Sequence, residues 1–319
     1  MIIKKMDSFN IYMLSDILLP LDIDSLIMML EIIPFYHHFI QNSNHVTEWF
    51  WKEYFKYHGY LPEETDLKRA LQLRGLHRRC SKMFDYREFI NLKRLSYHKK
   101  QISVIPESLL CLTNLHSMSF FDNKISEIPE SLSGLINLQV LSLGRNKISN
   151  IPESLLRLTK LIYLDLYHNK ISDISLVGLT NLIKLYLSSN KISEISLVDL
   201  TSLTYLEMGN NRIIKIPESL SCLTNLQELY LYSNQISNIP ESLSCLTNLT
   251  YLNLSYNQIC EIPESISCLT NIRHLYLQFN KISKIPESLS CLTNLEVLNL
   301  YDNQICEIPE SLRHLPIHI

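Results

Sequence analysis

The sequence predicts an α/β solenoid: a curved parallel β-sheet on the concave side, short helical turns on the convex side, and a small α-helical N-terminal domain. Three observations carry this. A string of 23 residues returns almost unchanged, running Leu226–Asn248, Leu249–Asn271 and Ile272–Asn294. An asparagine recurs at one place in it, at Asn123, Asn146, Asn169, Asn190, Asn211, Asn234, Asn257, Asn280 and Asn303. After it come two isoleucines and, in most copies, Pro-Glu-Ser. A period of this length marks a stack of one supersecondary unit. Ten units occupy residues 92–314, the first with Lys100 in place of the asparagine.

Within the unit that starts at Leu226, Leu229 and Leu231 are two apart and point to one face of a short strand. Glu228, Tyr230 and Tyr232 point to the other. Ile236, Ile239, Leu243 and Leu246 supply the return path. A lone unit leaves both flanks of this apolar interior wet, so the units fold only as a stack. The asparagine ends the strand in a turn, where its amide can satisfy backbone groups left without partners. Proline suits the first position of a short helical turn, and the glutamate after it suits the positive end of that turn. Strands pack about 4.8 Å apart and helical turns need more room, so the stack bends with the sheet inside the arc. Two units, at Ile174-Ser175-Leu176 and Ile195-Ser196-Leu197, lack the Pro-Glu pair and are 21 residues long. A thinner convex side and a local change of curvature are expected there.

On these residues the chain resembles the leucine-rich repeat family, in its intracellular 23-residue class, over about seventy per cent of its length. The resemblance implies a binding module whose ligand lies on the concave face.

Residues 1–60 read differently. Leu14, Ile17, Leu18 and Leu21 form one apolar stripe. Asp24 or Ser25 can cap a helix carrying Leu26, Met29, Leu30 and Ile33, and Trp49-Phe50-Trp51 opens an aromatic segment. This order resembles an F-box, carried by Leu14, Asp16, Ile17, Leu18, Leu21, Asp22, Ser25, Leu26, Phe35, Phe39, Trp49 and Trp51. Ser15 stands where the family has proline, Pro20 interrupts the first helix, and the stretch from Ile17 to Asp22 is short. The resemblance implies docking on a Skp-family adaptor of a cullin–RING ubiquitin ligase. The same helices would also cap the first repeat, as every solenoid requires. Repeat arrays with such starts are similar to those of giant DNA viruses.

Residues 61–91 are expected to form a basic helical linker or cap. Between Lys68 and Lys100 eleven basic residues face only Asp85 and Glu88, whereas the repeats from Gln101 onward carry a net −6. Without aromatic interleaving or a nucleic-acid module, this stretch reads as a solvated face, so nucleic acid is disfavoured as a partner. The eight cysteines form no C-x-x-C pair. Cys222, Cys245, Cys268 and Cys291 share one repeat position and are expected as small buried side chains in a ladder. Reduced cysteines and the lack of an export signal suit a cytoplasmic chain. The apolar stretch Leu26–Phe39 is too short and too interrupted to span a bilayer, so no membrane partner is expected.

Ten of the seventeen tyrosines fall on positions that strand alternation turns outward. They are Tyr163, Tyr167, Tyr186, Tyr205, Tyr230, Tyr232, Tyr251, Tyr256, Tyr276 and Tyr301. Phe121, Phe279, His168 and His274 add to them, with Asp165, Glu207 and Glu228 between. Tyrosine offers large contact area at low entropic cost, so this face is the expected protein-binding surface. β-Propensity alone also favours tyrosine in strands. The glutamates after proline, such as Glu218 and Glu241, read as solvated helix starts rather than metal ligands. No phosphate loop, metal-spaced His/Cys cluster or nucleophile elbow appears, so no enzyme activity, cofactor or metal is expected. Ubiquitin ligases built on such repeats carry a large Cys-bearing domain beside them, and none is expected here. The alternative to a ligase adaptor is a scaffold resembling repeat partners of small GTPases or Ser/Thr phosphatases. After the last unit only Leu312–Ile319 follow, so the final core flank is expected to be partly wet.

Overall fold

A strand of three residues with an apolar centre buries that centre, and every repeat does this. The computed structural model describes residues 93–105 and 112–319. The F-box-like segment and the basic linker, with Leu14, Ile17, Leu18, Leu21, Leu26, Phe35, Trp49 and Trp51, lie outside the described residues. The strands are β1 (Arg94–Ser96), β2 (Ser117–Ser119), β3 (Val140–Ser142), β4 (Tyr163–Asp165), β5 (Lys184–Tyr186), β6 (Tyr205–Glu207), β7 (Glu228–Tyr230), β8 (Tyr251–Asn253), β9 (His274–Tyr276), β10 (Val297–Asn299) and β11 (Ile317–His318). They form one parallel sheet in chain order, each strand paired with the next. The register sets Leu164 against Leu185 and Leu206 against Leu229, so the central leucines form one row. Those four are fully buried, in a single apolar interior that runs the length of the repeats.

The asparagines hold the turns together across units. Asn234 Nδ2 donates to Met208 O at 3.0 Å and to Leu231 O at 3.0 Å, while its Oδ1 accepts from Ile213 N–H at 3.0 Å. Each asparagine therefore closes its own turn and satisfies the preceding unit. A second, exposed ladder was not anticipated from the LTN triplet: Asn225, Asn248, Asn271 and Asn294 each donate to the threonine carbonyl one unit earlier.

The convex turns are 3-10 helices, as at Glu218–Cys222, Glu241–Cys245, Glu264–Cys268 and Glu287–Cys291. Proline stands one place earlier than expected. Pro217, Pro240, Pro263 and Pro286 are N-caps in extended conformation, and the glutamate is the first helical residue. Proline's fixed φ suits that entry, and its missing N–H is not needed there. The two 21-residue units have simple turns in place of a 3-10 helix.

One expectation is corrected, while the last core flank is partly wet as expected, with Ile305, Ile308 and Ile317 only partly buried. Cys222, Cys245, Cys268 and Cys291 are exposed. In a three-residue helical period, Leu220 and Leu223 take the interior positions and leave Cys222 on the solvent side. The stack also has an eleventh strand beyond the ten units. Leu298 N–H and Leu300 N–H donate to Pro316 O and His318 O, and Leu312 and Leu315 are buried beside them.

Candidate protein-binding face

Each strand presents its first and third residues to the concave side, and the register aligns them into two columns. The first column reads Tyr163, Lys184, Tyr205, Glu228, Tyr251, His274; the third reads Asp165, Tyr186, Glu207, Tyr230, Asn253, Tyr276. From β4 to β9 tyrosine thus changes column at every step. The result is a checkerboard of tyrosine and polar side chains. Diagonal neighbours on adjacent strands lie about 7–8 Å apart, somewhat less at Cβ, within reach of aromatic rings. The rings lean across to meet, with centroids 5.3, 4.8, 5.3, 4.7 and 5.3 Å apart from Tyr163 through Tyr276. His274 stacks on the end of this row, 5.6 Å from Tyr251. All six tyrosines are half-buried by one another and keep their remaining surface open.

The polar squares are wired to the rings. Tyr205 Oη–H donates to Glu207 Oε2 at 3.1 Å, and Tyr230 Oη–H to Glu228 Oε2 at 2.7 Å. Tyr232 Oη–H adds a contact to Glu207 Oε1 at 3.3 Å. Burial pushes the Tyr163 hydroxyl up to about 12, with Asp165, Tyr186 and Glu207 adding to the effect. Burial likewise raises Tyr205, helped by the Glu207 carboxylate and its hydrogen bond, and Tyr230, helped by its hydrogen bond to Glu228. These hydroxyls remain donors throughout the neutral range.

Asp165 plays another part. It is 7% exposed and accepts from Ser142 Oγ–H at 2.8 Å and Tyr167 N–H at 3.0 Å. Burial raises its pKa against the pull of those two bonds. A Cβ at Gly144 would sit 2.8 Å from its oxygens, so glycine there makes room for the carboxylate. Gly209 does the same for Tyr232, whose Cδ1 would lie 2.7 Å from an added Cβ.

Not every expected residue joins this row. Tyr232 belongs to it through Glu207. Tyr167 instead leans against His168 at a tilt, with Arg145 lying 5.8 Å from its ring and 6.0 Å from that of Phe121. Tyr301 meets Phe279 edge-on at 5.7 Å, and Phe279 stacks on Tyr256 at 4.2 Å. Tyr256, Phe279 and His168 had been expected at outward strand positions. They have positive φ, 55°, 58° and 53°, which ends the alternation and turns them to the loop rim. The left-handed conformation costs a bulky residue roughly 1–2 kcal/mol. Lys184 is a site residue the sequence reading passed over: its Nζ lies 5.8 Å from the Tyr205 ring centroid. Its place in the same column as Tyr205 was the available signal.

Among the described residues no helix is long and apolar enough to cross a membrane, and no group of three or more His, Cys, Asp or Glu could hold a metal ion.

Comparison with known proteins agrees with this architecture. A "Leucine rich repeat" family model matches residues 113–171 and 136–192, and a "Leucine Rich repeats (2 copies)" model matches residues 180–223, 224–267 and 270–314. No curated protein sequence matches significantly. Among solved structures, the chain is similar to the ectodomain of the receptor kinase GASSHO1/SCHENGEN3 of Arabidopsis thaliana, solved in complex with CASPARIAN STRIP INTEGRITY FACTOR 2. The identity is 28% and the TM-score 0.64, over 72% of this chain and 29% of that one. It is similar to an internalin, InlF, of Listeria monocytogenes, at 26% identity and TM-score 0.52, over 72% of this chain and 87% of that one. It is also similar to TLR13 in a complex with ssRNA13, at 26% identity and TM-score 0.57, over 67% of this chain and 34% of that one. The chain spans under a third of the plant ectodomain's length. With family models covering well over half of its residues in the register of the observed strands, the chain belongs to the leucine-rich repeat family.

Proposed function

We propose that this protein is a protein–protein interaction module whose concave face, centred on Tyr186, Tyr205, Tyr230 and Tyr251, holds a partner protein. The observation that carries this is the unbroken tyrosine row on a face the fold does not need to bury. Half-buried rings packed against one another lose little freedom on binding, which is the property that makes tyrosine effective at interfaces. The plant ectodomain, solved with its factor, supports a proteinaceous ligand. The TLR13 complex keeps RNA as the competing ligand class for repeats of this kind, and the carboxylates Glu207 and Glu228 on the face speak against a polyanion.

The finer part of this reading concerns residues 1–60. On Leu14, Ile17, Leu18, Leu21, Leu26, Phe35, Trp49 and Trp51 we propose an F-box-like adaptor that carries the captured protein, in the cytoplasm, to a Skp-family subunit of a cullin–RING ligase. The experiment is affinity capture from lysate with the full chain and with a Tyr205→Ala/Tyr230→Ala/Tyr251→Ala variant. The expected result is a partner lost in the variant, with a Skp-family protein retained by both. A partner retained by the variant refutes the concave site. Absence of any Skp-family protein removes the ligase role and leaves a scaffold.

A further inference from the structure

The checkerboard has a charge and a chemistry of its own, and together they specify what fits it. Glu207 and Glu228 are half-buried on adjacent strands, and each accepts a hydrogen bond from a tyrosine hydroxyl. Among the described residues, the ion pairs are Arg273 and His274 with Glu296, and Arg313 with Glu310; neither Glu207 nor Glu228 has a cationic partner. Tyr230 occupies one oxygen of Glu228, while Glu207 accepts Tyr205 on Oε2 and Tyr232 on Oε1, so each carboxylate keeps lone pairs for a further donor. Ring faces are negative, carboxylates are negative, and the two alternate along the row.

The protein's own cations already use this geometry. Lys184 Nζ lies over Tyr205, and the Arg145 guanidinium lies between the rings of Phe121 and Tyr167. Lys184 takes one end of the row. From Tyr205 through Tyr251 the first and third columns contain two carboxylates, one amide and no cation. A side chain that satisfies both features carries positive charge and a flat or slender apolar stem. Arginine does so best, since its planar guanidinium stacks on a ring while its edge pairs with a carboxylate.

Building on the concave-face reading above, we propose that the partner segment is cationic. It is a polypeptide stretch rich in arginine and lysine, with guanidinium groups seated on Tyr230 and Tyr251 and paired with Glu207 and Glu228. An acidic or phosphorylated segment would place its charge against both carboxylates without a compensating cation, and a nucleic acid would do the same along its whole backbone.

The test uses the full-length protein and fluorescein-labelled octa-arginine, octa-lysine and octa-glutamate peptides, read by anisotropy at low and near-physiological salt. Octa-arginine should bind, more tightly than octa-lysine, and octa-glutamate should not. Glu207→Gln/Glu228→Gln should weaken octa-arginine about tenfold, the loss of two partly desolvated charge contacts. The convex pair Glu218→Gln/Glu241→Gln should leave it unchanged, which separates the site from general attraction to an acidic chain. No octa-arginine binding at low salt, equal loss in the convex variant, or preference for octa-glutamate overturns the inference. A captured protein partner that depends on the tyrosines but binds equally well to Glu207→Gln/Glu228→Gln overturns it too, while leaving the concave-face reading intact. Should capture survive the Tyr205→Ala/Tyr230→Ala/Tyr251→Ala change, the broader reading falls first.

Discussion

Replacing Asn234 by alanine isolates what the asparagine ladder contributes. The amide is buried, yet its loss does not orphan everything it touches. Met208 O also accepts from Asn211 Nδ2 at 3.1 Å, and Leu231 O from Asn257 Nδ2 at 3.0 Å. Each carbonyl is shared by two successive asparagines and keeps one donor after the change. Ile213 N–H has only Asn234 Oδ1. The cost is therefore one buried donor without a partner, about 1–3 kcal/mol, and two lost hydrogen bonds of about 0.5–1 kcal/mol each, the longer third contact to Tyr232 O at 3.3 Å adding little because Asn210 N–H still serves that carbonyl. A total near 3–4 kcal/mol is expected. Asn303 makes the same pattern at the end of the stack, accepting from Ile282 N–H at 3.0 Å, but it is only half-buried. Water can take over there, so Asn303→Ala should cost about 1 kcal/mol. Urea unfolding followed by circular dichroism measures both, with midpoints compared at unchanged slope. Amide exchange at Ile213 should accelerate in Asn234→Ala more than in Asn303→Ala. If the terminal substitution proves as damaging as the central one, burial is not what gives the asparagine its worth, and the reasoning fails.

Three further outcomes follow. Gly209→Ala should displace the Tyr232 ring and break its bond to Glu207, weakening capture by the concave face while costing the fold only about 1–3 kcal/mol, read by the same unfolding assay. In the native protein a thiol reagent should label Cys222, Cys245, Cys260, Cys268, Cys291 and Cys306 without denaturant, as mass spectrometry of the peptides would reveal; protection of the four aligned cysteines would restore the buried ladder. Alkaline titration should separate folded from unfolded chains. Tyr163 has its folded pKa raised from 10.0 to about 12, so above 10 the native state holds more protons than the unfolded one. Its contribution to stability is complete below pH 10 and lost as pH rises to about 12, which phenolate absorbance and unfolding at stepped pH would detect.

The stack was legible because its period and its burial are the same fact. Leu229 and its equivalents recur wherever a strand centre must be apolar, and Asn234 recurs wherever a turn leaves backbone groups without partners. Cys222 was misread because repetition at one position says that the position is equivalent, not that it faces inward; only the three-residue helical period decides that. Tyr256 and Phe279 were misplaced for a related reason. Alternation predicts a side only while the backbone stays extended, and an aromatic residue gives no hint that it will adopt positive φ. Asp122, Ser189, Asn210 and Ser233 at equivalent places were the clue, since short polar residues tolerate that conformation. Lys184 was missed because attention to tyrosine alone hides the column that tyrosine shares with charge.

The column change is where function departs from fold. A leucine at the strand centre is demanded by burial, but nothing in the solenoid requires tyrosine to leave its column at each of six strands. Tyrosines kept in one column would stack at the strand spacing and form an apolar stripe beside a polar one. Exchanging Tyr205 with Glu207, as Tyr205→Glu/Glu207→Tyr, tests which arrangement matters. Composition, net charge and the buried Leu206 of β6 are preserved, so stability should change by about 1 kcal/mol or less, the range for exchanges across a half-exposed strand. The new tyrosine would stand directly between Tyr186 and Tyr230, and the glutamate between Lys184 and Glu228, because the register pairs those positions. Lys184 would then neutralise the carboxylate that served the ligand, and the diagonal row would be cut at its centre. Octa-arginine affinity should fall about threefold, as for the loss of one of the two binding charges. Unchanged affinity in a normally folded exchange variant would mean that composition, rather than the checkerboard, governs the face.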